Sequence, residues 1–237
     1  EKTKPYLVQD PQVQKRLRAA SVRGSRLVDY MNHIAGFPVY ENTAAKFFPL
    51  GEDMFEQLME ELKAAKHFIF MEYFIVEEGE MWNETLAVLK EKAAAGVDVR
   101  LIYDGFGSMF TLPGDYDEEI RRAGIKCHVF NPLHFSLHIS DYKMLNHRDH
   151  RKITVVDGET AFTGGLNFAD EYINRFPKHG HWKDTAVMIQ GEAVRSFTLM
   201  FLQMWALDER TPEFQTYLEA PVTPRSDAKG FVIPYGD

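Results

Sequence analysis

Residues 67–105 read HFIFMEYFIVEEGEMWNETLAVLKEKAAAGVDVRLIYDG, and the order of patterns within them decides the fold. His67–Val76 is a run of aromatic and β-branched residues broken only by Glu72, which suits a strand buried on both faces. Trp82–Ala95 places Leu86, Leu89 and Ala93 at helical spacing, with Gly96 as the stop. Val97–Tyr103 alternates, turns apolar and ends at Asp104-Gly105. A strand, a helix and a second strand form a βαβ unit, and such a connection makes the two strands parallel.

The same alternation extends outward. Upstream, Glu52–Lys66 sets Phe55, Leu58, Met59 and Leu62 on one helical face. Downstream come a helix near Asp117–Ala123, a capping Gly124 and a strand at Lys126–Phe130. Asn131–Asp149 contains Pro132 and scattered histidines without periodicity, so it reads as a long loop. Lys152–Asp157 and Thr160–Thr163 are strands joined by a turn at Asp157-Gly158, and a short helix spans Phe168–Asn174. A strand at Lys183–Gln190 and a helix at Glu192–Leu207 complete the pattern, before a proline-rich linker and a last short strand at Gly230–Ile233. The expected class is α/β, with a mixed, largely parallel central sheet flanked by helices.

Composition narrows the function. Of 237 residues, 45% are hydrophobic and 26% charged, so the chain can bury a core and is not disordered. The single cysteine, Cys127, excludes an internal disulfide framework and a Cys-rich zinc site. A net charge of −8 is a poor footprint for nucleic acid, so no such partner is expected. No apolar stretch approaches the roughly 18 residues of a membrane span. Charge is uneven, however: residues 1–27 carry seven cations against two carboxylates, net +5, which leaves 20 against 33, net −13, on the rest. A basic arm of this kind is either a solvated surface helix or a segment lying against anionic lipid, and composition leaves both open. The start at Glu1 rather than Met and the end at Asp237 suggest an excerpt of a longer protein.

Chemistry concentrates in His147-Arg148-Asp149-His150-Arg151-Lys152. Cations beside the histidines disfavour a divalent metal and favour an anion such as phosphate, so no metal site is expected. His150, Lys152, Asp157, Gly164, Gly165 and Asn167 stand in the register H-x-K, four residues, D, six residues, G-G-x-N. At a strand entry, positions i and i+2 share a face, so His150 and Lys152 project together. An imidazole nucleophile, an ammonium to neutralise phosphoryl oxygens and a carboxylate to orient the imidazole make a phosphoryl-transfer set. Paired glycines let backbone approach a ligand, and Asn167 offers an amide donor beside them. His181-Trp182-Lys183 repeats the first three positions but has Met188 where the carboxylate belongs. Glu72, inside an apolar strand, is read as site-lining, because strand ends in open α/β sheets face ligands. Ser108 reads as a turn residue, while His134, Phe135 and His138 are either substrate contacts or surface groups. His179 and His181 lack a third metal ligand in the sequence.

With these residues the chain resembles the phospholipase D superfamily, whose signature is the HxK(x)4D motif followed by paired glycines. NHRDHRKITVVDGETAFTGGLNFADEY, residues 146–172, is similar to the bacterial cardiolipin synthase branch in particular. MEYFI at 71–75, VRLIYDGFGS at 99–108 and HWKDT at 181–185 agree, so the resemblance spans roughly residues 40–207. It implies a phospholipase D-like α/β/α sandwich and a two-step transfer at phosphorus that needs neither metal nor cofactor.

On that resemblance His150, Lys152 and Asp157 are the catalytic residues, and Gly164, Gly165, Asn167, Glu72 and His147 contact substrate. The implied reaction converts two molecules of phosphatidylglycerol into cardiolipin and glycerol through a phosphatidyl-histidine. Residues 1–36 form a basic, membrane-proximal helical arm, 37–207 the catalytic domain, and 208–237 a linker into a second domain. Family sites combine two motifs, so the partner is a missing carboxy-terminal catalytic domain or a second copy, and the lone chain is expected to be inactive. The implied location is the bacterial cell membrane, with the catalytic domain on the cytoplasmic side and the excerpt itself soluble. Two other classes compete: a phosphodiesterase or nuclease of the same superfamily working as a homodimer, and a non-catalytic module for membrane or partner contact.

Overall fold

The structure, a computed structural model, describes residues 3–132, 146–178, 180–207 and 213–235. Helices α1 (Pro11–Ala20) and α2 (Val22–Ala35) precede strand β1 (Thr43–Phe48) and helix α3 (Gly51–Ala64). Next come β2 (Phe68–Tyr73), α4 (Glu80–Ala94), β3 (Asp98–Asp104), α5 (Tyr116–Arg122) and β4 (Lys126–Phe130). Then follow β5 (Ile153–Val156), β6 (Thr160–Gly164), β7 (Ala186–Gly191), α6 (Val194–Trp205) and α7 (Phe214–Leu218). The seven strands form one sheet in the order β1-β7-β6-β5-β2-β3-β4. β2, β3 and β4 are mutually parallel, as the βαβ pattern requires, whereas β5 lies antiparallel to β2. The sheet is mixed and flanked by helices.

The parallel run and the β5–β6 hairpin meet at β2, whose six residues are all buried. There the chain order reverses, and such a switch point leaves a crevice at the carboxyl ends of the strands. The register Glu72↔Ile153 brings the segment before β5 to the carboxyl end of β2.

The chain divides into two compact units, residues 1–46, 158–161 and 189–237, and residues 47–157 and 162–188. These bounds differ from the linear division read from the sequence, because the first unit gathers the amino-terminal helices with the carboxy-terminal segment. In it, Asp10 and Ser21 cap α1 and α2 by accepting from the N–H of Gln12 and Gly24, and Gly36 ends α2 at φ 75°. Val13, Leu17, Val28 and Val39 form its small core. The second unit centres on Leu58, Leu62, Ile69, Met71, Trp82 and Phe168, and the Trp82 indole donates to the Tyr116 hydroxyl at 2.6 Å.

Two expected elements are shorter than their pattern suggests. Phe168–Asn174 contains a 3-10 turn at Asp170–Ile173, and the last strand is a single bridge between Tyr40 and Val232. No helix among the described residues is long and apolar enough to cross a membrane.

Candidate active site

The antiparallel register determines what each residue before β5 faces. Glu72 lies opposite Ile153, so Ile153 and its alternates Arg151 and Asp149 belong to Glu72's face of the sheet. Lys152 and His150 belong to the other face, with Tyr73. His150 is exposed, and its ring lies 4.9 Å from that of Phe74, just past the end of β2. Lys152 is only 5% exposed, and its Nζ lies 5.5 Å from the centroid of the same ring. Lys152 Nζ also donates to the carbonyl of His150 at 2.6 Å, which ties the two motif residues together. A cavity of about 10 Å³, room for roughly one water, lies against Lys152 between Tyr73, Phe162 and Leu166.

Burial pulls the Lys152 ammonium down to about 8, against the opposing pull of the Asp149 and Asp184 carboxylates. The group is therefore predominantly cationic at neutral pH yet poorly solvated, which suits it to receive a phosphoryl oxygen.

The paired glycines make room for neighbouring protein atoms, backbone at Gly164 and a side chain at Gly165. A Cβ on Gly165 would sit 2.1 Å from Asp184 Oδ1, and one on Gly164 would sit 2.4 Å from the Thr185 carbonyl. Their absence of side chains lets β6 close on the entry to β7, where the Gly165 N–H donates to Thr185 at 3.1 Å. That approach holds the half-buried Asp184 beside the site. Asp184 stands in the HWKDT stretch, whose register carries no motif of its own.

Three expected site residues turn out to be structural. Asn167 is 3% exposed; its amide nitrogen donates to the Tyr172 hydroxyl at 2.8 Å and its oxygen accepts from the Ile75 N–H at 3.0 Å. The side chain is thereby fixed within the fold, between Tyr172 of the 3-10 turn and the backbone after β2. Asp157 lies past the far end of β5, separated from Lys152 by roughly 16 Å of strand at about 3.3 Å per residue. Its carboxylate accepts from the backbone N–H groups of Lys66, His67 and Phe68 at 2.8, 2.7 and 2.8 Å, so it anchors the start of β2 and does not orient the His150 imidazole. Glu72 is fully buried on the face opposite Lys152 and does not line the crevice. His147 is exposed, and its carbonyl accepts from Asn131 Nδ2 at 2.9 Å.

Glu72 instead belongs to a buried charge cluster beneath the motif. Arg151 Nε lies 2.9 Å from Glu72 Oε1, an ion-pair distance without hydrogen-bond alignment. Arg151 Nε also lies 3.3 Å from Asp149 Oδ1. Burial and the neighbouring Asp149 push the Glu72 carboxyl well above the ordinary range, and Arg151 only partly offsets them. Both Glu72 carboxylate oxygens and Asp149 Oδ2 are buried without an aligned hydrogen-bond donor, so the cluster is held by charge rather than by hydrogen bonds at these atoms. Asp104, also fully buried, accepts from the N–H groups of Phe106, Gly107 and Asp149 and from Arg148 at 3.3 Å. The backbone just before His150 is thereby held from below, and so is the Arg151 side chain just after it.

Ser108 is structural too: its hydroxyl accepts from the Val76 N–H at 3.0 Å. His134, Phe135, His138 and His179 lie outside the described residues. Among the described residues no three His, Cys, Asp or Glu side chains converge to hold a metal ion.

A profile of the family described as "Cardiolipin synthase, PLD-like domain" matches residues 58–205. An uncharacterized protein of Streptococcus mutans is 46% identical over 99% of this chain and 50% of its own length. A cardiolipin synthase of Halalkalibacterium halodurans is 37% identical over 84% of this chain and 39% of its own. The chain thus spans about half or less of the length of these curated relatives. Among solved structures, the phosphatidylserine synthase of Haemophilus influenzae superposes with a TM-score of 0.53 at 14% identity, over 74% of this chain and 42% of that one. At that identity the likeness concerns the fold.

Proposed function

Because the chain belongs to the family of phospholipase D-like domains of cardiolipin synthases, we propose that it supplies one histidine motif to a phosphatidyltransferase. In this reading two molecules of phosphatidylglycerol give cardiolipin and glycerol. The observation that carries the reading is the pair at the carboxyl end of β2: an exposed His150 imidazole beside a buried Lys152 ammonium, both against Phe74.

The His150 imidazole attacks phosphorus of the first phosphatidylglycerol. The bond from phosphorus to the head-group glycerol oxygen breaks, and glycerol leaves with a proton from a second histidine. A head-group hydroxyl of the second phosphatidylglycerol then attacks the phosphatidyl-histidine, returns its proton to that second histidine and releases His150. Lys152 neutralises charge on the non-bridging oxygens through both steps. Asp184, rather than Asp157, is the carboxylate we assign to holding the cationic groups of the site. The second histidine comes from a second motif, in a following domain or in a second copy of this chain.

The test is incubation with phosphatidylglycerol in mixed micelles, followed by mass spectrometry of lipids and protein. Cardiolipin, free glycerol and a phosphatidyl adduct on His150 are expected from a dimer or a two-motif protein, and none of them from His150→Ala. Turnover by a demonstrable monomer would refute the shared site, and hydrolysis without transfer would point to a phosphodiesterase.

A further inference from the structure

Helix α2 carries an exposed face unlike the rest of this acidic chain. Ser25 and Val28 turn inward. On the opposite side Val22, Leu27, Tyr30 and Ile34 are exposed by 61, 60, 61 and 63%, interleaved with exposed Arg23 and Arg26. Leu27, Tyr30 and Ile34 follow i, i+3, i+7 spacing, which makes them one stripe along the helix. Arg23 lies one turn before Leu27, and Arg26 one turn before Tyr30.

Charge identifies the occupant. Two neighbouring cations of α1 are spoken for: Arg16 pairs with Glu41 and Arg18 with Asp29. Arg23 and Arg26 form no ion pair among the described residues, and the carboxylate of their own helix, Asp29, is taken up by Arg18. Aliphatic side chains, an aromatic hydroxyl and unpaired guanidinium groups in one band are the composition of a helix lying in a membrane interface. At 14 residues α2 is too short to span a bilayer, and its inner face is fixed to Val13 and Leu17 through Val28. It can therefore present a preformed ridge and sink only to side-chain depth.

We propose that this face of α2 docks on an anionic lipid surface, with Leu27, Tyr30 and Ile34 entering the acyl boundary and Arg23 and Arg26 meeting lipid phosphates. Docking does not rest on the chemistry at His150, so His150→Ala binds vesicles as the parent does.

The experiment floats the full chain with vesicles of phosphatidylcholine, with or without phosphatidylserine, an anionic lipid outside the proposed reaction. Binding is expected only with phosphatidylserine and should fall as salt rises. Arg23→Gln with Arg26→Gln should lower partitioning about 25-fold, at about 1 kcal/mol or fivefold per cation. Leu27→Ser with Ile34→Ser should abolish it with an unchanged thermal transition, since both side chains are exposed. Tyr30→Trp should show fluorescence quenching by brominated acyl chains. Equal flotation of the parent and the arginine variant, or an unquenched Trp, would overturn the proposal. So would a dimer that Leu27→Ser dissolves, because a second copy would then cover the face. Transfer in detergent micelles by the α2 variants, with vesicle binding lost, would confirm docking as a separate property. Lost transfer with vesicle binding intact would refute only the reaction.

Discussion

Replacing Asp157 by alanine should damage stability and spare chemistry. Its carboxylate accepts three backbone N–H groups, from Lys66, His67 and Phe68, at 2.7–2.8 Å. A hydrogen bond to a charged acceptor contributes about 1.5–3 kcal/mol. The Lys66 and His67 donors are exposed and can turn to water, whereas the Phe68 N–H is partly buried and opens β2. The expected loss is therefore about 2–4 kcal/mol rather than three full bonds, and a loss of 3 kcal/mol lowers Tm by about 6–12 °C in a chain of this size. Asp157 also sits at φ 54°, so alanine adds backbone strain that asparagine avoids. Asp157→Asn keeps one acceptor oxygen and should lose about half as much. Denaturant and thermal melts read the stability, and the micelle transfer assay, run well below the transition, reads the chemistry. An orienting carboxylate in a catalytic triad carries about 10⁴-fold in rate. An unchanged melt with a loss of that order would refute the anchoring role.

Other perturbations separate the remaining groups of the second unit. Burial raises the Glu72 carboxyl, so Glu72→Gln, which keeps its shape without the charge, should melt closer to the parent than Glu72→Ala, which leaves Arg151 and a cavity and should cost about 3 kcal/mol; thermal melts of the two variants check the order. Lys152 is lowered from 10.5 to about 8, so between those values the unfolded chain binds more protons and stability should rise with pH from about 8 upward. That slope should vanish in Lys152→Met, and transfer should decline above pH about 8 as the ammonium is lost; a flat alkaline limb would contradict the assignment. Gly165→Ala drives a Cβ to within 2.1 Å of Asp184 Oδ1, so it should destabilise by about 1–3 kcal/mol and depress transfer together, as melts and the same assay would show.

The fold was largely legible because its decisive signals are local. The β2-α4-β3 unit appears as a change of hydrophobic period, and parallel pairing follows from the length of its connection. His150 and Lys152 were legible as well, since strand alternation alone places them on one face. What the sequence could not disclose was the partner across the sheet. Glu72 looks like a ligand-facing carboxylate until the register Glu72↔Ile153 puts it on the other face, with Arg151 and Asp149. Asp184 has no motif spacing to announce it, because its position depends on two glycines that bring β6 against the entry to β7. Asn167 pairs with Tyr172, five residues on, through a 3-10 turn that the helical pattern obscured.

The spacing of the motif itself acquires a different meaning. The four residues between Lys152 and Asp157 are the strand Ile153–Val156, buried throughout. H-x-K stands where that strand enters the sheet at the crevice, and the aspartate stands where it leaves, locked to the start of β2. The motif is thus the record of one strand with a reacting end and an anchored end, not of three groups in contact. Its spacer behaves as a length: one added residue would turn His150 and Lys152 to the Glu72 face or pull Asp157 from its three donors. Both outcomes disable the site, one by removing the imidazole and ammonium from the crevice, the other by loosening the strand that presents them.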